Sequence, residues 1–355
     1  MMKKVLALGI AALMTVSTGI SVMAADGYEV KNGYDPADFV SEKEPSDFKM
    51  AVVVKGVAEW FSRMEEGVNQ FQEDYGVDAS VQFPATTDAA SQLEIIDSLL
   101  TQDYDAIVVV PNDASALEES LGNALGNGVV VIGHEASNLT NCLYDTEAFT
   151  PEQYGQAMAE SLAEATGGSG TYAIMVGYTT SVTHMEYANA EVEYLKENYP
   201  DLVLLNEEIP TAESQESTTT AYEQAKQILK SNPDLDAFIC HCSTDAGGIA
   251  QAVEEMGLEG QVKIIGAGVP SSYENELKSG LIYSITTWDP SVSAYVALET
   301  AYDILTGVEV GQGSDLSAEG KAEGYESVDL QIGDNNVLIG NAPCVGTAEN
   351  VDDLF

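Results

Sequence analysis

Lys49-Met-Ala-Val-Val-Val-Lys55 is a short apolar run with no polar alternation, and two later segments repeat it: Asp105–Val110 (DAIVVV) and Val129–Ile132 (VVVI). Strands that show one face to water alternate, whereas strands covered on both faces read as continuous runs, as in a parallel sheet with helices above and below. What stands between the runs agrees. Trp60–Tyr75 has helical spacing and stops at Gly76, Val77–Phe83 is a further strand, and Asp88 is placed to cap a helix reaching about Leu100. Pro111 and Asp113 open another helix to about Leu125. Alternation of strand and helix predicts an α/β fold with a doubly wound sheet.

After a break near Cys142–Phe149 the pattern starts again. Thr150 and Pro151 supply the cap and first turn of a helix to Thr166. Strands follow at Thr171–Val176, Leu202–Ile209, Asp236–His241, Val262–Ile265 and Leu281–Thr286. Helices intervene over Val182–Asn198, up to Lys230, and over Thr244–Met256. Ser291–Leu305 is the last long helix, and the Gly- and acid-rich tail beyond it carries one strand-like stretch, Asn336–Gly340. The reading is two doubly wound, Rossmann-like lobes joined by a hinge. The first spans 49–145 plus about 287–309, the second 146–286 plus part of 310–355, with crossovers near 145, 286 and 309. Residues 25–48 are polar and without period, an acidic linker or loosely docked arm.

The N-terminus reads as an export signal over residues 1–24. Lys3 and Lys4 precede the apolar run Val5–Met14, and Val22-Met23-Ala24 offers a small-residue cleavage site. A membrane-spanning helix needs roughly 20 apolar residues, and Thr15–Ser21 interrupts the run. The first cysteine is Cys142, so no lipid-attachment cysteine follows the cleavage site, and the product is expected to be soluble, periplasmic or extracellular, and monomeric. With 58 acidic and 13 basic residues and a net charge of −45, the surface repels nucleic acid and anionic lipid. Arg63 is the only arginine, which argues against a phosphorylated or carboxylated ligand. Of the four cysteines, Cys142 and Cys344 make the better candidate disulfide, since Cys240 and Cys242 sit two apart on a strand end.

In open α/β sheets ligands bind beyond the carboxyl ends of the strands, so the residues that follow each strand line the expected cleft. These are Lys55 with Trp60 and Phe61, His134-Glu135, Thr183-His184, Cys240 through Asp245, Gly266–Gly268, and Trp288-Asp289. All three histidines (His134, His184, His241) and both tryptophans fall there. Trp60, Phe61 and Trp288 offer faces for the C–H side of a pyranose. Lys55, His134, Glu135, His184, Asp245 and Asp289 offer donors and acceptors for vicinal hydroxyls. As hydrogen-bonding partners of a neutral ligand, the histidines should weaken binding as pH falls through the imidazole range near 6.5. Other readings stand beside these. Trp60 can be core, and Asp245 and Asp289 can be helix caps. His134, His184, His241 and Cys242 could converge on zinc, and Asp245, Glu135 and His184 could be acid–base groups of an enzyme. No nucleophile motif is present, and Gly266-Ala-Gly268 lacks the third glycine of a dinucleotide site, so neither catalysis nor a cofactor is expected.

Lys55-Gly56 leading to Trp60-Phe61, the run Gly-His-Glu-Ala-Ser at 133–137, Ser181-Val-Thr-His184, Ser243-Thr-Asp-Ala246 and Trp288-Asp-Pro290 resemble the sugar-binding subunits of ABC importers. The similarity covers about 49–310 and is nearest to the rhamnose and autoinducer-2 binding branch, with the ribose binders more distant. It implies a type I periplasmic binding protein with three hinge crossovers, closure around the ligand, and delivery to a membrane permease. It also implies ligand contacts at Lys55, His134, Glu135, His184, and around His241 and Ser243, with Asp245 a contact in the ribose-type relatives. The autoinducer-2 pattern has Asp-Gln where this chain has His184-Met185, and Pro where it has His241. Those departures favour a deoxyhexose or pentose, with a signal or sugar receptor as the alternative.

Overall fold

The computed structural model describes residues 28, 32–57, 59–136, 138–333 and 335–355; the expected export signal lies outside them. The first half runs β1 (Lys49–Val53), α1 (Glu59–Tyr75), β2 (Asp78–Gln82), α2 (Ala89–Leu99), β3 (Ala106–Val109), α3 (Ala114–Gly126), β4 (Val130–His134) and β5 (Tyr144–Glu147). The second runs α4 (Pro151–Thr166), β6 (Gly170–Val176), α5 (Val182–Asn198), β7 (Leu202–Leu204), β8 (Ala212–Glu213), α6 (Thr218–Ser231), β9 (Ala237–Cys240), α7 (Asp245–Met256), β10 (Lys263–Ala267), α8 (Glu274–Ser279) and β11 (Ser284–Thr287). The chain ends with α9 (Pro290–Thr306), β12 (Asp329–Ile332), β13 (Asn336–Ile339) and β14 (Cys344–Gly346).

Two sheets result. The first has the order β12-β13-β5-β4-β3-β1-β2, the second β14-β11-β10-β9-β6-β7 with β8 also on β6. All pairings are parallel except β12 with β13 and β11 with β14. The apolar runs are covered on both faces, as their sequence requires: Met50–Val53, Ala106–Val109 and Val130–Ile132 are essentially without exposure. Each such aliphatic side chain contributes roughly 1.5–3 kcal/mol on burial. Local signals fix the helix starts. Asp88 accepts from Ser91 N at 2.8 Å at the head of α2, and Thr150 with Gln153 forms a reciprocal capping box on α4. Gly167 (φ 71°) ends α4 in the left-handed region that a side chain disfavours.

Several sequence readings differ from the structure. Tyr144–Glu147 is a strand, β5, where a break was read; a polar strand of four residues has no apolar run to announce it. The strand read over Leu202–Ile209 stops at Leu204, because Leu205–Glu207 turns and Asn206 takes φ 61°. Residues 32–48 are docked: Phe39 and Phe48 are buried, and Asn32 donates to the carbonyls of Thr140 and Cys142. The chain passes between the sheets at 147–151, at 287–290 and at 340–343 rather than near 309. Val310, Leu316, Tyr325 and Val328 belong to the first core, and β12–β13 extend the first sheet. The cysteines are free. Cys142 is buried against Leu139 and Asn335 beside the first sheet, while Cys344 lies on β14 of the second, so they do not pair.

Candidate functional site

The carboxyl ends of β1, β4, β6, β9, β10 and β11 meet at a cavity of about 410 Å³ between the sheets. Eight of the residues assigned ligand contacts line it: Lys55, Trp60, Phe61, Glu135, His184, His241, Ser243 and Trp288. Lys55 Nζ lies 2.8 Å from Glu135 Oε2 and 5.7 Å from the Phe61 ring centre, so its charge is paired on one side and faces a ring on the other. Burial raises the Glu135 carboxyl, but His134 and Lys55 act against it and leave it below the ordinary range. Glu135 also holds φ 51°, an uncommon conformation for a residue with a Cβ, directly after β4. Trp60 and Trp288 meet edge to face at 4.8 Å, and Trp288 meets Phe149 at 5.3 Å, so the aromatic wall runs from the head of α1 into both adjacent crossovers.

Three of the residues assigned ligand contacts do not line the cavity. His134 is buried, with Nδ1 2.7 Å from Thr146 O and Nε2 unpartnered. Asp245 has no exposed surface at the head of α7; Ser214 and Thr244 donate to it, and burial pushes its carboxyl up to about 6. Asp289 is occupied: it caps α9 through Ser291 N at 2.8 Å and takes a bidentate contact from Arg63 at 3.1 and 2.9 Å. Asp289→Ala should therefore cost about 2 kcal/mol in urea unfolding while changing ligand affinity less than threefold. A tenfold loss of affinity at unchanged stability would return Asp289 to the ligand.

Thr183, Ala267 and Gly268, expected at the strand ends, also line the cavity, as do Thr287, Tyr154, Tyr187, Val269 and Thr286. Tyr154 donates to Thr286 O at 2.9 Å and stacks on Tyr187 with ring centres 4.3 Å apart. Both are one helical turn inside α4 and α5, beyond the reach of a search confined to strand ends. Beneath this wall His241 Nε2 approaches Glu191 Oε2 to 3.0 Å, but without the direction a hydrogen bond requires, and both groups are fully buried. Burial pulls His241 down to about 4 and raises the Glu191 carboxyl well above its ordinary value, so burial disfavours charge on both groups. His184 is lowered too, by burial and then by His241. A loss of binding through protonation of these rings therefore falls below the ordinary imidazole range. Among the described residues no three His, Cys, Asp or Glu side chains are placed to share a metal ion, so His134, His184, His241 and Cys242 do not form a zinc set.

Two doubly wound lobes with a polar and aromatic cavity between facing strand ends define a type I, two-lobed binding protein. The chain belongs to the periplasmic binding protein domain family, whose model matches residues 50–309. It is 24% identical over 288 residues to the D-ribose/D-allose-binding protein of Pseudomonas aeruginosa, covering 77% of this chain and 86% of that one. It is 23% identical over 298 residues to the xylitol-binding protein of Mycolicibacterium smegmatis, covering 84% and 83%. In fold it resembles a sugar ABC transporter structure from Actinomyces odontolyticus, with a TM-score of 0.78 at 19% identity, covering 89% of this chain and 99% of that one. Among the described residues no helix is long and apolar enough to cross a membrane.

Proposed function

We propose that this chain is the extracytoplasmic solute-binding subunit of a carbohydrate ABC importer. It captures a small neutral monosaccharide, rhamnose- or pentose-like, closes on it as a monomer, and delivers it to a membrane permease. The observation that carries the reading is the cavity of about 410 Å³ with Trp60, Tyr187 and Trp288 on its walls and Lys55, Glu135, His184 and Ser243 on its polar rim. Rings supply faces for the C–H side of a sugar, and the rim supplies both donors and acceptors for hydroxyls. Among the described residues Lys55 is the lone cation of the rim, and it is already paired with Glu135, which suits a neutral ligand better than an anion. The relatives are themselves ribose/allose- and xylitol-binding proteins, which supports a polyhydroxylated ligand.

The test is thermal shift, followed by calorimetry, with D-ribose, D-xylose, D-allose, L-rhamnose and xylitol. A ligand at a hundred times its Kd adds about 2.7 kcal/mol of stability. Trp60→Ala should weaken the best ligand about 30-fold, about 2 kcal/mol, as for an aromatic anchor at the centre of a contact. Absence of any shift across the panel, or full affinity in Trp60→Ala, would count against the reading.

A further inference from the structure

The segment that follows β14, residues 347–355, is fastened to the second lobe at several points. Val351 is buried in the second core, Lys278 of α8 pairs with Asp352, and Ser271 N donates to Phe355 O at 3.1 Å. Asn350 and Leu354 of this segment line a cavity of about 450 Å³ together with Ala148, Trp288 and Asn341, one residue from each of the three crossovers. The segment therefore runs beside the hinge while belonging to one lobe.

The Phe355 ring reaches the other lobe. Its centre is 5.8 Å from the Trp60 ring, at an interplanar angle of 69°, and 5.3 Å from the guanidinium carbon of Arg63. Both partners are on α1, three residues apart and so on one face of the helix. Arg63 is itself held by Asp289 of the second crossover through hydrogen bonds of 3.1 and 2.9 Å, which gives the Phe355 ring a fixed cation to lie against. Trp60 thus meets two rings edge to face, Trp288 at 4.8 Å and Phe355 at 5.8 Å. Trp60 and Trp288 line the ligand cavity, and Phe355 stands outside its lining. A half-buried indole with one ring neighbour can still turn about its side-chain bonds, and a second edge-to-face contact restricts that freedom. Ordering a wall before the ligand arrives removes part of the cost of binding.

We infer that Phe355 is a positioning residue for ligand binding: anchored on the second lobe, it fixes the Trp60 ring on the first. The inference rests on the monosaccharide reading above and deepens it, because residue 355 then contributes affinity to a cavity it does not line. Phe355→Ala should weaken the best-binding sugar of the panel about fivefold in calorimetry, with the urea midpoint at its wild-type value. In the Trp60→Ala background the same change should cause no further loss, since the two act as one unit. Trp60 and Trp288 are the only two tryptophans, so intrinsic emission reports on this wall. Acrylamide should quench ligand-free Phe355→Ala more strongly than the wild type, and saturating sugar should remove the difference by covering Trp60. Phe355→Tyr, which keeps the ring, should restore both affinity and quenching.

Wild-type affinity in Phe355→Ala overturns the inference. So does a loss of affinity with unchanged quenching, or one that persists in full in the Trp60→Ala background, because the effect would then bypass Trp60. A loss that follows the urea midpoint and is not restored by Phe355→Tyr would make the residue a part of the fold alone. In each of these cases the sugar still binds the wild type and the monosaccharide reading stands. A wild-type protein that binds no sugar of the panel overturns that reading instead, and the quenching of the ligand-free protein still decides whether Phe355 holds Trp60.

Discussion

Gly67→Ala is expected to destabilise the protein by about 3 kcal/mol or more, a fall in Tm of roughly 5 °C. Gly67 lies in the middle of α1, where glycine costs up to about 1 kcal/mol relative to alanine, so on an open helix face the substitution would stabilise. Here α1 crosses the head of α9 so closely that a Cβ at Gly67 would stand 1.8 Å from the carbonyl oxygen of Ser291, 2.7 Å from its carbon and 3.0 Å from its Cα. Those atoms are backbone in the first turn of a helix whose start is fixed by Asp289 and Pro290, so they cannot move aside as a side chain would. Relief must come from separating α1 and α9, which loosens Phe71 from Tyr295 and Tyr302. The same shift would move Trp60 at the head of α1 away from Trp288 in the crossover before α9. Ligand affinity should therefore fall with stability. Unfolding of Gly67→Ala at wild-type stability would show that the two helices pack less closely than described.

That crossing marks the boundary of what the sequence makes legible. Apolar runs announce buried strands whatever surrounds them, so both sheets and the long helices follow from the chain alone, and caps such as Asp88, Asp113 and Thr150 place the helix starts. Gly67 inside a helical pattern carries no such label, because its meaning comes from a helix more than 200 residues later. β5, β12 and β14 are short, and β5 and β12 are polar; pairing with a neighbour makes them strands, which no local window records.

The site divides along the same line. Chain position beyond a strand end brought Lys55, Trp60, Glu135, His184, His241, Ser243 and Trp288 to one cavity, since topology fixes where strand ends lie. Whether a polar side chain there is free for a ligand depends on partners from elsewhere. Asp289 is held by Arg63 across 226 residues of chain, and Asp245 is sealed at the head of its helix. Tyr154 and Tyr187 come from the interior of helices, where an aromatic residue in sequence is indistinguishable from core.

Stability should rise as the solution is made mildly acidic, by about 3 kcal/mol between pH 8 and pH 5.5. Burial pushes Glu299 up to about 7 and Asp245 up to about 6. Burial also raises Asp303 to about 6, and it raises Glu191 and the Asp145–Glu147 pair. In the unfolded chain these acids titrate near 4. A carboxyl raised in the folded state contributes stability that is fully present below the unfolded value and is lost as pH rises through the folded one, so all of these groups weaken the protein between about pH 5 and 8. His241 acts in the opposite sense. Lowered to about 4, it is neutral in the folded protein while the unfolded chain takes up a proton below about 6.5, which removes stability as pH falls. One buried imidazole and the half-buried His184 are outweighed by six buried or partly buried acids across this range. The net charge of −45 would produce a trend of the same sign through surface repulsion, but that part is screened by salt and the buried part is not. Urea unfolding at pH 5.5 and pH 8 in 0.5 M NaCl separates them, and Glu299→Gln should remove about a third of the remaining difference. Its carboxyl accepts from Tyr75 at 2.6 Å through one oxygen and has no partner for the other, so an uncharged amide keeps the contact and drops the ionisation penalty. Equal or greater stability at pH 8 in high salt would mean that these carboxyls reach water in the folded protein and titrate near their ordinary values.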